Sequence, residues 1–171
     1  MTLIRLAVPY TGMIMSTRES ERIRTEALKL GISQISGGSR TSVGGYTIKD
    51  IRDVENTAQF DTSDRRSLDE VVAHLLENGY LPSFCTACYR AGRTGDRFMS
   101  LCKSGQIQNC CHPNALITLQ EFLEDYASPE TRALGKEVLQ RQLLAIPNEK
   151  VRTKTEQYLQ EILHGARDFR F

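Results

Sequence analysis

All five cysteines fall within positions 85 to 111, and this clustering constrains the chain more than any other feature. Cys85-Thr86-Ala87-Cys88 is a CxxC turn, and 22 residues separate Cys88 from Cys111. Two thiols held that close can share a metal or ligate two irons of one cluster, while N–H groups exposed by the turn donate to sulfur. A third thiol from far along the chain then fixes the site against a second element. Disulfides are the weaker use of these residues. The cysteine count is odd, and residues 1–7 carry a single Arg and no small-residue cleavage site, so they do not read as a secretory signal. A cytoplasmic location is expected on the same ground.

Three thiols leave one position unfilled, which for an iron–sulfur cluster means one iron with an exchangeable ligand. Spacing alone does not separate Cys110 from Cys111 as the third ligand. A zinc site of the Cys3His kind could use Cys85, Cys88, Cys111 and His112. A redox CxxC would sit in a thioredoxin-like βαβ, which the local sequence does not show. Cys102, mid-helix among its apolar neighbours Met99 and Leu101, reads as core rather than ligand. Arg90, Arg93, Arg97 and Lys103 lie between the cysteines. Cations there would lower thiolate pKa and offset the charge of a cluster, although solvated helix charges would look the same.

Charge excludes other classes. Twenty-two basic against 21 acidic residues leave a net charge of +1, with no electrostatic case for nucleic acid or an anionic membrane as partner. At 40% hydrophobic residues the chain is an ordinary globular one, and no apolar run approaches the roughly 18–20 residues of a membrane span.

The chain divides by pattern into residues 1–45, 46–66 and 67–171. In the first part, Leu3, Ile4, Leu6, Ala7 and Val8 form an apolar cluster that is either a strand or two turns of helix. Met13 to Ser16 reads as a short buried strand, Glu19 to Leu30 as a helix closed by Gly31, and Ile32 to Ser36 as a second strand. Strand, helix, strand is a βα unit of a parallel sheet, too small to close a barrel by itself, so it is read as a fragment. Residues 40–65 are polar and Gly-rich, a linker or functional loop. The third part is helical. Ser67 with Glu70, and Thr118 with Glu121, suggest capping boxes; Ser128-Pro129-Glu130 opens a helix, and 151–164 supplies the last. Pro113 suggests that His112 stands at a helix start.

The run Cys85-Thr-Ala-Cys-Tyr-Arg-Ala-Gly-Arg-Thr-Gly-Asp-Arg-Phe-Met, the CxxC-x22-C spacing and Pro113-Asn114-Ala115-Leu116 closely resemble the HydG family of FeFe-hydrogenase maturases. Members are radical S-adenosylmethionine (SAM) tyrosine lyases. LIRLAVPYTGMIMSTRES and GISQISGGSRTSVGGY resemble the last strands of their barrel. The resemblance implies an α/β fold: the last βα units of a (β/α)8 radical SAM barrel, followed by a mainly helical auxiliary-cluster domain. It implies cleavage of tyrosine to p-cresol and a dehydroglycine fragment, which becomes CO and cyanide on iron for the H-cluster. It implies an auxiliary 4Fe-4S cluster on Cys85, Cys88 and Cys111, with a labile fifth iron, and the family spacing selects Cys111 over Cys110.

No CxxxCxxC for the SAM-bound cluster occurs in the sequence, so the chain resembles the C-terminal part of a longer protein and should not cleave tyrosine alone. Dehydroglycine, cysteine and iron are the implied small-molecule ligands, and the hydrogenase maturation machinery the implied partner. Arg18 follows a barrel strand on the face where such barrels place chemistry, and resemblance makes it the candidate for the tyrosine carboxylate. It could equally pair with Glu19 or Glu21. Ser36, Gly37, Gly38 and Ser39 end the next strand and could let backbone approach a ligand, or form an ordinary turn. A tyrosine lyase of the thiamine-pathway type would not be expected to carry the CxxC-x22-C. The rival from another class is a zinc-stapled interaction module without catalysis.

Overall fold

The computed structural model describes residues 1–47 and 59–171, and the central part of the loop expected over 40–65 lies outside them. The described chain is mostly helical with little sheet, and it forms two compact units, Met1–Val71 and Val72–Phe171.

In the first unit the apolar cluster near the start resolves as helix α1, Thr2–Ala7. Strand β1, Ile14–Met15, and strand β2, Gln34–Ile35, pair in parallel with Ile14 opposite Gln34. Helix α2, Glu21–Lys29, makes the crossover; Ser20 caps it by accepting from the Ile23 amide. Gly31 takes φ +89 just past its end, the left-handed geometry that stops a helix. Arg24, on α2, is 2% exposed and donates to the Asp64 carboxylate and to the Ser36 carbonyl. This ties the helix to the end of β2 and to the segment that leads out of the loop. Asp64 also receives Arg66 through Nη2 at 2.7 Å and Nε at 2.9 Å.

Helix α3, Leu68–Glu77, carries the expected capping box in reciprocal form. The Ser67 amide donates to Glu70 at 2.6 Å, and the Glu70 amide donates to Ser67 Oγ at 3.2 Å. Val72 and Leu76 belong to the core of the second unit. Short helix α4, Ala87–Arg90, is followed by α5, Asp96–Lys103.

The second expected capping box does not form. Helix α6 is a single 18-residue helix, Gln108–Asp125, with Pro113 inside it. Thr118 lies mid-helix, donating to the Asn114 carbonyl at 3.0 Å and accepting the Phe84 amide at 3.1 Å. His112 is likewise inside the helix rather than at its start. Helix α7, Pro129–Leu144, has Ser128 as cap, and α8, Glu149–Leu163, is capped by Asn148 accepting from the Val151 amide. Both pack on α6, whose Leu116, Leu119 and Leu123 are fully buried at the centre. Gly135 of α7 allows the closest approach, since a Cβ there would fall 2.5 Å from Leu123 Cδ1.

Candidate metal centre

Helix α4 begins inside the CxxC. Thr86 is its N-cap residue, Ala87 is buried, and the Ala87 amide donates to Cys85 Sγ at 3.4 Å. Cys85 and Cys88 are half-buried. The turn closes when the Arg93 amide donates to the Cys88 carbonyl at 2.8 Å. Cys110 and Cys111 sit in the first turn of α6, and both amides donate to the Ile107 carbonyl. Neighbouring positions on a helix point about 100° apart. Cys110 accordingly turns inward, 8% exposed, with its thiol 3.3 Å from the Ile107 carbonyl, while Cys111 is exposed.

All five cysteines are free thiols. Cys111 is exposed as a residue, yet lost hydration and the nearby thiols of Cys110, Cys88 and Cys85 push its thiol up to about 12. Cys88 is also raised, mainly by burial, and the Arg93 cation opposes that rise. The fold therefore brings the sequence-predicted Cys85, Cys88 and Cys111 into one electrostatic neighbourhood, together with Cys110. Among the described residues, no group of three or more His, Cys, Asp or Glu side chains stands close enough to hold a metal ion as placed.

The donor set suits an iron–sulfur cluster. It offers thiols only, an amide already directed at a sulfur, and a cation beside Cys88. Arg93 Nε is also buried and has no hydrogen-bond partner, an orphan donor beside the site. His112 Nε2 lies 3.0 Å from Gln142 Oε1. Of the other intervening cations, Arg90 pairs with Asp168 at 2.8 Å, whereas Arg97 and Lys103 are exposed on α5. Cys102 is half-buried and acts electrostatically on Cys88.

Arg18 lies in the other unit, between β1 and α2, and is exposed with its guanidinium 4.2 Å from the centre of the Phe60 ring. Glu21, one of the alternative partners, pairs with Arg66 at 3.1 Å. Gly37 and Gly38 pack against Leu68, and a Cβ on Gly38 would come within 3.2 Å of the Leu68 amide nitrogen, so close packing is one local reason for glycine there. Sequence reasoning missed the segment 165–171, which binds back onto α4 and α6. Its signal was the alternation of Arg and aromatic residues in Arg167-Asp168-Phe169-Arg170-Phe171.

Residues 1–81 match the family model described as the Biotin and Thiamin Synthesis associated domain. No curated protein matches the chain. Among solved structures it is similar to a crystal structure of HydG, a maturase of the FeFe-hydrogenase. Identity is 52% and the TM-score 0.90, covering 99% of this chain and 36% of that one. It is also similar to the X-ray structure of the FeFe-hydrogenase maturase HydG from Carboxydothermus hydrogenoformans, with 38% identity and a TM-score of 0.65 over 92% of this chain and 32% of that one. The chain thus spans well under half the length of the proteins it matches.

Proposed function

Because the chain belongs to the HydG family of FeFe-hydrogenase maturases and corresponds to the C-terminal portion of its members, we propose that it holds the auxiliary iron–sulfur cluster of a radical SAM tyrosine lyase. Cys85, Cys88 and Cys111 are the cysteines that would hold it. When bound, the cluster supplies an iron not ligated by cysteine, where CO and cyanide made from tyrosine can collect for the H-cluster. The parallel β1–α2–β2 unit supports the reading of residues 1–45 as closing βα units of a (β/α)8 barrel. Leu3, Leu6 and Ile14 of that unit are 81%, 74% and 70% exposed, as side chains expecting further apolar cover would be.

The chain's own residues have distinct tasks in this reading. The Ala87 amide holds the Cys85 sulfur in orientation, and Arg93 supplies positive charge beside Cys88. Cys110 keeps its thiol turned to the Ile107 carbonyl and leaves the outward position to Cys111. Arg18, at the carboxyl end of β1, binds the tyrosine carboxylate, its stem and guanidinium steadied by Phe60. Dehydroglycine, cysteine and iron are the ligands, and the maturation machinery that receives the product is the partner.

What supports the proposal is that the thiols of Cys88 and Cys85 bear electrostatically on Cys111, from which 22 intervening residues separate Cys88. Anaerobic reconstitution with iron and sulfide tests it. A brown protein with broad charge-transfer absorption and acid-labile sulfide is expected. A colourless protein with one tightly held zinc would replace the proposal with the zinc-stapled module.

A further inference from the structure

Helix α8 ends at His164, and Gly165, at φ +96, turns the chain back across its own unit. From there several side chains and amides are anchored. Arg167 grips both carboxylate oxygens of Asp125, through Nε at 2.9 Å and Nη2 at 2.5 Å. The Asp168 amide donates to Glu121 at 2.7 Å, and the Asp168 carboxylate takes both ends of the Arg90 guanidinium. Asp168 does so with φ +69, the one non-glycine residue in the left-handed region among the described residues. Phe169 stacks on Tyr158 at 4.3 Å, and Phe171 meets the same ring edge-on at 5.7 Å.

The far end of this segment reaches the residue that closes the cysteine turn. Asn114 of α6, 2% exposed, exchanges hydrogen bonds with Phe171, accepting its amide at 2.9 Å and donating to its carbonyl at 3.4 Å. That carbonyl also accepts Arg93 Nη2 at 2.8 Å. Arg93 is thereby fixed at two points, its amide on the Cys88 carbonyl and its Nη2 on Phe171. Between them its Nε–H is buried without a partner. A buried N–H without an acceptor loses its hydration for nothing in return, so it marks a place where an acceptor belongs. The cysteine turn is at hand, since the Arg93 amide closes it on the Cys88 carbonyl and the Arg93 charge acts on Cys88.

We propose that residues 167–171 are a strap that positions Arg93 beside the cysteine turn, where its free Nε–H donates to sulfur of the group the cysteines hold. The donor half rests on the cluster reading above; the strap half does not. A hydrogen bond to sulfur stabilises the more negative, reduced state of a cluster and raises its potential. Arg93 touches the group, whereas Asp168, Asn114 and Phe171 act through Arg93 and Arg90 as positioning residues.

The test uses this chain with four changes: removal of residues 167–171, Asp168→Asn, Arg93→Gln and Arg93→Lys. In the metal-free chain, amide exchange across 88–95 should quicken by about tenfold or more when the strap is removed, and by less in D168N. After reconstitution with iron and sulfide, strap removal, R93Q and R93K should each lower the midpoint potential at unchanged iron and sulfide content. Lysine keeps the charge and lacks the Nε fork, so an R93K potential equal to wild type overturns the donor role. Unchanged exchange and potential on strap removal overturn the strap. If the unaltered chain takes up no iron and sulfide, the cluster reading fails and the donor role with it, while metal-free exchange still decides the strap.

Discussion

Asp64→Ala is the substitution that most sharply probes how the first unit is held together. The Asp64 carboxylate, 1% exposed, accepts from Arg24 Nη1, from Arg66 Nη2 at 2.7 Å and Nε at 2.9 Å, and from the Arg66 amide at 3.1 Å. Removing it affects the two arginines unequally. Arg66, 17% exposed and paired with Glu21, can recover water. Arg24 cannot: it is 2% exposed, its Nε already lacks a partner, and only the Ser36 carbonyl remains. Stranding one member of a buried pair costs about 3–5 kcal/mol. With one partner left to Arg24, the lower end applies, and about 3 kcal/mol is roughly a hundredfold in an opening equilibrium. Native-state amide exchange over α2 reads that factor directly. The double change Arg24→Met with Asp64→Leu should restore most of the protection, because it strands no charge. An increase in exchange below about tenfold in D64A, or a double variant worse than the single one, would refute the argument.

Two further outcomes follow from named groups. Burial alone would raise the Asp64 carboxyl, but hydrogen bonds from Arg66 and the Arg24 charge hold it below the usual carboxylate range. Its folded value is the lower one, so its stabilisation is complete above about pH 4 and is lost as pH falls through that folded value. Exchange from α2 should therefore rise steeply in acid, and less steeply in Asp64→Asn. At the cysteine site, Cys111→Ala should abolish iron and sulfide loading, while Cys110→Ala and Cys102→Ala largely preserve it. The opposite ranking of Cys111 and Cys110, read as iron and sulfide per chain, would move the third ligand to Cys110.

Elements whose signals are local were legible in the sequence. Ser67 with Glu70 and Ser128 with Pro129 start helices because each cap is satisfied within one turn. The β1–α2–β2 order was readable for the same reason. Thr118 with Glu121 carried the same signature and failed, because what its hydroxyl does is decided by a distant residue, the amide of Phe84. The helix around it was hard to read for a related cause. Pro113 invited a break, and burial from Ala115 through Leu123 on several sides erases the one-faced period that marks a surface helix. The segment 165–171 has no period at all, and its placement depends on side chains 42 to 78 positions away.

The choice between two adjacent cysteines shows the same division between spacing and surroundings. Counting residues leaves Cys110 and Cys111 equivalent, whereas neighbouring positions on a helix point about 100° apart. Burial gives Cys110 the inward place and the Ile107 carbonyl as acceptor. Cys111 is left as the exposed thiol on which Cys85, Cys88 and Cys110 all act. Lost hydration first, and that crowding second, raise the Cys111 thiol above its ordinary value, because a thiolate there would meet other sulfur groups in poorly hydrated surroundings. A metal centre reverses the sign, since the proximity that opposes a lone thiolate favours several thiolates around positive charge. The feature that disfavours ionisation in the metal-free chain is thus the one that a cluster site requires, and Arg93, the cation bearing on Cys88, is the protein's partial substitute for that charge.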